Sequence, residues 1–188
     1  MIVGNSENDW LYQHMSAAKA FGLRTFFIKD PRFKKTSVGL GDPIKCYGRA
    51  GSVGFVERKE ITSHKEWIDL WKVYVPESNN IGTELNDDNQ NVLEGAPGTI
   101  CTETYLVVGA DLKLSKSKAA NCAQYLKTKF ARFLLSLAKV SQHGTGKTYR
   151  FVPVVDFSKS WTDEKLYKKY NLTKDEIVFI ESTIKPME

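Results

Sequence analysis

Between Ser115 and Lys139 the apolar residues Ala119, Cys122, Ala123, Leu126, Phe130, Phe133, Leu134 and Leu137 recur at three- and four-residue steps. That period lines them along one stripe of an α-helix, with Ser115 as its N-cap. At about 100° per residue, Lys118, Lys129, Arg132 and Lys139 fall opposite the stripe, together with Tyr125 and Ser136. The pattern predicts one long amphipathic helix with a basic, partly aromatic solvent face. A different period governs Ile44 to Arg49, where strict alternation puts Lys45, Tyr47 and Arg49 on one face of a strand. Arg49-Ala50-Gly51-Ser52 then reads as a turn into a second strand, Val53 to Glu57, so the two strands form a hairpin with another basic-aromatic surface.

The remaining segments complete a mixed chain. An N-terminal helix is expected around Asn8 to Phe21, leading into the apolar segment Leu23 to Ile28, and Pro31 to Thr36 reads as a loop carrying Arg32, Lys34 and Lys35. Leu70 to Val75 and Thr99 to Val108 have strand character, separated by a polar, acidic loop from Pro76 to Gly98. Tyr149 to Val155 is strand-like around Pro153, and two short helices follow at Asp163 to Tyr170 and Thr173 to Ile184, the second opened by a Thr173/Glu176 capping box. The expected fold class is α+β: a mixed β-sheet unit with a long amphipathic helix and short C-terminal helices. No repeat divides the 188 residues. They read as one domain, with the N-terminal helix and lead-in at 1–30, a β-rich part at 31–112 and the basic helix, strand and terminal helices at 113–188.

Charge sharpens this picture. The net charge is only +5, but nine basic residues and no acid lie between Asp111 and Asp156, whereas Glu77 to Asp111 holds seven acids and no base. Such segregation points to a polyanionic partner more than the total does. A hydrophobic content of 41% suits a chain that buries roughly 70% of its unfolded surface. The first residues lack a basic leader and apolar core, and no 18-residue apolar run exists, so a cytoplasmic location without membrane association is expected. Cys46, Cys101 and Cys122 are odd in number, scattered and far from paired histidines, which supports neither a disulfide framework nor a zinc site.

Three patterns resemble pieces of catalytic machinery. Gly144-Thr145-Gly146-Lys147-Thr148 looks like the end of a phosphate-binding loop, yet Ser141 stands where the motif needs glycine. Its context is also reversed, with a helix before it and a strand after. Glu57-Arg58-Lys59 with Asp42 upstream has the carboxylate and lysine types of a metal-dependent nuclease, but Asp111-Leu112-Lys113 and Asp163-Glu164-Lys165 match the same short pattern. The histidines are dispersed; His14 reads as a packing residue of the first helix, and His143, beside Gln142, as a helix-ending turn or a polar tip. No catalytic residue and no metal ligand is assigned.

Several strings, in order, carry a resemblance: Phe21-Gly22-Leu23-Arg24-Thr25, Ile44-Lys45-Cys46-Tyr47-Gly48, Gly54-Phe55-Val56, Trp71-Lys72-Val73, Gly98-Thr99-Ile100-Cys101-Thr102-Glu103-Thr104-Tyr105, Tyr125-Leu126-Lys127-Thr128-Lys129-Phe130-Ala131-Arg132-Phe133-Leu134, Lys147-Thr148-Tyr149-Arg150-Phe151-Val152-Pro153 and Trp161 to Tyr170. Together they resemble the C-terminal part of bacterial adenine-specific DNA methyltransferases from restriction-modification systems. The resemblance implies a target recognition domain, related to those of type I specificity subunits. The Asn/Asp-Pro-Pro-Tyr/Phe signature that positions a flipped adenine, and the glycine-containing S-adenosylmethionine loop, do not occur in this sequence. The resemblance therefore implies that S-adenosylmethionine belongs to a methyltransferase core outside this chain, with no cofactor on the chain itself and with double-stranded DNA and that core as partners.

On this reading Lys127, Lys129, Arg132, Lys147 and Arg150 hold phosphates, giving salt-dependent affinity without sequence information. Arg24, Lys34, Lys35, Tyr47, Arg49, Gln142 and His143 supply the donors, acceptors and planar groups that read base edges. Arg24 and Lys127 have an alternative place, partly buried beside acids such as Glu103. The acidic Glu77 to Asp111 block is expected to face away from DNA or to pack on the core. Two readings from other classes stand beside this one: a metal-dependent nuclease using Asp42, Glu57 and Lys59, and a protein-interaction domain using its apolar faces.

Overall fold

The structure, a computed structural model, describes residues 9–79, 81, 88–139 and 145–187. Its fold is α+β, with two three-stranded sheets and four α-helices among those residues. In the first sheet β1 (Pro43–Tyr47) pairs antiparallel with β2 (Val53–Glu57), in the register Ile44 to Val56 and Cys46 to Gly54. The expected hairpin is thus present. Its link places Ala50 in the left-handed region at φ 54°, and Gly48 N–H donates to the Ser52 carbonyl at 2.8 Å to close the turn.

The second sheet runs through β3 (Lys72–Pro76), flanked on both sides by antiparallel partners, β4 (Leu93–Gly95) and β6 (Tyr105–Val108). It is the wall between two apolar clusters. Val73, Val75, Leu106 and Val108 join the cluster that holds the helices, while Tyr74, Tyr105 and Val107 join the one beneath the hairpin. Burial on both faces explains why these strands read as continuous apolar runs. The expected 76–98 loop therefore contains a short strand. Gly95 makes that pairing possible, since a Cβ there would lie 2.7 Å from Lys72 Cγ and 2.9 Å from the Tyr74 ring.

Two expected elements divide. Thr99 to Val108 is two strands: β5 (Thr99–Cys101) pairs parallel with β1, and β6 belongs to the other sheet. The break falls where Thr102 N–H turns to the Tyr47 carbonyl at 2.9 Å and the Thr104 carbonyl receives Glu77 N–H at 2.9 Å. The amphipathic segment is helical from Lys116, but Thr128 stands extended (φ −62°, ψ 151°) between α1 (Lys116–Lys127) and α2 (Lys129–Ala138). Thr128 Oγ1 donates to the Tyr125 carbonyl at 2.7 Å and accepts from Ala131 N–H at 3.2 Å, so one side chain caps both helices. The Asp163 carboxylate completes the α2 cap, accepting from Lys129 and Phe130 N–H at 3.2 and 2.8 Å.

The N-terminal helix expected at Asn8 to Phe21 does not form over its described residues. A 3₁₀ turn, Leu11–His14, is followed by extended chain that bridges Met15 to Val108. The backbone groups that a helix would pair internally go to distant partners: Leu11 N–H to Val152, Ser16 N–H to Val107 and, in return, Val154 N–H to the Asp9 carbonyl. Leu11 and Phe21 end in different apolar clusters. His14, expected as a packing residue of that helix, instead bridges two carboxylates, Asp111 at 2.6 Å and Asp9 at 2.7 Å. The strand-like Tyr149 to Val155 contributes a single bridge, Trp10 to Pro153.

At the C-terminus α3 (Asp163–Lys169) and α4 (Lys174–Thr183) form as expected. The Thr173/Glu176 capping box is complete, with Thr173 N–H to Glu176 Oε2 at 2.8 Å and Glu176 N–H to Thr173 Oγ1 at 3.3 Å. Among the described residues no helix is long and apolar enough to cross a membrane.

Candidate nucleic-acid interface

The hairpin and the segment before it form one unit. Lys34 and Phe55 exchange both backbone hydrogen bonds, at 2.9 and 2.7 Å, which extends the sheet by one bridge. Glycines permit the close approach: a Cβ at Gly48 would lie 2.4 Å from Ile28 Cγ2, and one at Gly54 would lie 2.4 Å from Phe33 Cζ. Arg24, Lys34, Lys35 and Arg49 are exposed on this unit, and Tyr47 is half-buried between Lys45 Nζ, 5.1 Å from its ring centroid, and the Tyr74 ring at 5.7 Å. Arg24 stays exposed although its neighbour Thr25 donates its N–H to Glu103 Oε1 at 2.9 Å.

The acids of this region are already engaged. Arg32 grips Asp30 through two bonds, at 2.9 and 2.8 Å, and reaches Glu60 at 2.9 Å. Its guanidinium holds the Asp30 carboxyl down at about 2. Arg58 spans Asp42 at 2.9 Å and Asp69 at 2.7 Å. Glu57 accepts Gly41 and Asp42 N–H, and these bonds lower its pKa. No described carboxylate pairs with Lys34, Lys35, Lys45 or Arg49. A positive surface results from spending the negative charges elsewhere.

Those commitments also bear on Asp42, Glu57 and Lys59 as nuclease groups. Asp42 is held by Arg58 and Glu57 closes a loop by its backbone bonds. Among the described residues no three His, Cys, Asp or Glu side chains converge on a metal position.

The helical phosphate set does not form one face. Arg132 is only 3% exposed. Its guanidinium donates to three backbone carbonyls: Lys127 at 3.1 Å, Asp88 at 2.9 Å and Lys185 at 2.8 Å. Lys129 pairs with Glu181 Oε2 at 2.5 Å, and Lys139 donates to Asn79 and Ile81. Tyr125, expected on the solvent face, is fully buried with its hydroxyl donating to the Pro153 carbonyl at 2.8 Å. Packing on every side is the cause: all residues from Phe130 to Leu135 are buried, so α2 has no solvent face at Arg132, and α1 buries Tyr125 besides its apolar stripe. Lys127 is half-buried, while Lys147 and Arg150 are exposed, with Arg150 4.8 Å from the Phe151 ring centroid. Gln142 and His143 lie outside the described residues.

A second basic surface was not singled out from the sequence. Lys159, Ser160, Trp161, Lys165, Lys168 and Lys169 line an open cleft of about 590 Å³ beside α3. The signal was available: Lys165, Lys168 and Lys169 stand at the three- and four-residue steps that share a helix face, just after Trp161.

Comparison with family models, curated proteins and solved structures gave no match.

Proposed function

We propose that this chain binds double-stranded DNA as a target recognition unit of an adenine-specific DNA methyltransferase of a restriction-modification system, acting in the cytoplasm. The resemblance across the chain supplies the system. The observation that carries the binding is the set Lys34, Lys35 and Arg49, exposed on one hairpin unit whose nearby acids are held by Arg32, Arg58 and backbone N–H groups. Lysine and arginine in that state release counterions on meeting phosphates, and arginine can also bond a guanine edge bidentately. Lys147 and Arg150 extend the set of available cations. Methyl transfer and S-adenosylmethionine belong to the core, which this chain would orient on its site.

Fluorescence anisotropy against a pool of duplexes, from about 50 to 200 mM salt, tests this reading. Binding should weaken steeply with salt, and Lys34→Ala/Lys35→Ala/Arg49→Ala should reduce the slope of log affinity on log salt by about 2 to 3. Lys129→Ala should leave it unchanged. Absence of binding at the lowest salt would overturn the reading.

A protein-interaction role has one observation in its favour: Leu137, Val178 and Phe179 are exposed, at 55%, 66% and 60%, across α2 and α4. Val178→Ser/Phe179→Ser separates the roles, because a duplex-binding hairpin would be indifferent to it.

A further inference from the structure

We propose that the cleft beside α3 is a second phosphate-binding site, taking consecutive phosphates of the DNA backbone that flanks the segment met by the hairpin; this rests on the duplex-binding reading above. Four lysines and no carboxylate line the cleft. The neighbouring acids are turned to other tasks. Asp163 caps α2, Glu164 lines the next cleft beyond Lys168, and Asp156 accepts Ser158 N–H at 2.9 Å while meeting Lys159 only at 3.7 Å.

Two of the ammonium groups are held in place before any ligand arrives. Lys165 Nζ donates to the Ser160 carbonyl at 3.1 Å, and Lys169 Nζ sits 5.9 Å from the Trp161 ring centroid and 5.5 Å from that of Tyr170. The Trp161 ring is itself fixed, because its indole N–H donates to the Asp156 carbonyl at 3.0 Å. Preplaced cations lose less side-chain freedom on binding. Lys168 and Lys159 are exposed, so the open cleft offers several charges rather than an enclosed pocket for one ion. Consecutive phosphates supply several charges to match, and lysines contact them as point charges without reading sequence.

The test follows the Trp161 indole resonance of the full chain by NMR, assigned with Trp161→Phe, during separate titrations with a 16-base-pair duplex and with inorganic tripolyphosphate. The duplex is expected to shift it. Lys165→Ala/Lys168→Ala/Lys169→Ala is expected to abolish the shift and lower the salt slope of duplex binding by about 2 to 3, whereas Lys165→Arg/Lys168→Arg/Lys169→Arg, which keeps the charges, retains both. The hairpin triple variant weakens overall affinity yet leaves the Trp161 shift at saturating duplex. A shift with tripolyphosphate alone, without duplex binding, would keep the phosphate site and discard DNA as its source along with the duplex-binding reading. Duplex binding with an unmoved Trp161 and an unchanged salt slope in the lysine variant would overturn the cleft while leaving the hairpin reading intact.

Discussion

Arg132 Nη1 lies 2.8 Å from the carbonyl of Lys185, joining α2 to the segment that follows α4 across 53 positions of sequence. The same guanidinium holds Asp88 and Lys127 carbonyls, so it acts as a knot among three segments. Arg132→Met removes all three of these charge-assisted hydrogen bonds and is expected to cost about 3 kcal/mol in urea unfolding. Lys129→Ala, which loses a partly exposed pair with Glu181, is expected to cost about 1 kcal/mol or less.

His14 and its two carboxylates make a pH-dependent clasp between the N-terminal turn and the 109–111 turn. Burial works against the charged ring, but the hydrogen bonds and charges of Asp111 and Asp9 outweigh it and raise the pKa above 6.5. The stabilisation is fully present below that unfolded value and is lost as pH rises through the higher folded one. Because both carboxylates are half exposed, the difference should be about 1 kcal/mol or less. Unfolding of the native chain and of His14→Gln at pH 5.5 and 8.5 should differ more at the lower pH; an equal difference would refute the clasp.

Thr128 carries the break between α1 and α2. Thr128→Ala removes the acceptor for Ala131 N–H and the donor to Tyr125, at an expected cost of about 1 to 2 kcal/mol. If the segment could run on as one helix, alanine would instead stabilise it and raise the helical circular dichroism.

Lys72 is fully buried, with Nζ bonded to the Ile68 and Leu70 carbonyls at 3.1 and 2.9 Å. Burial lowers its pKa from 10.5 to about 8. Between those values the unfolded chain holds a proton that the folded chain has released, so the lysine's contribution to stability improves as pH rises. The stability of the native chain relative to Lys72→Met should therefore increase by about 3 kcal/mol from pH 7 to 10.5. The buried thiols of Cys46 and Cys122, pushed up to about 12, are common to both proteins and cancel in the comparison.

The hairpin, the α3 and α4 boundaries and the Thr173 capping box were legible in the residues because each depends on partners within a few positions: alternation, a turn link and a reciprocal cap. The N-terminal segment was not, because its backbone groups bond to residues near 107 and 152 rather than to its own next turn. The Thr99 to Val108 run has strand composition throughout, and only the two partners waiting on different sides, β1 and β3, divide it.

The same distinction governs the candidate site. Sequence alone determined the inventory of cations, their segregation from the acids and the period that gathers apolar residues into faces, since these are properties of composition and neighbouring positions. Only the tertiary structure decided which cations remain available. Glu181 lies 52 positions from Lys129, and the carbonyls that absorb Arg132 include those of Asp88 and Lys185. A charge is neutralised by whatever folding brings within a few ångströms, and that distance is set by the packing of the whole chain.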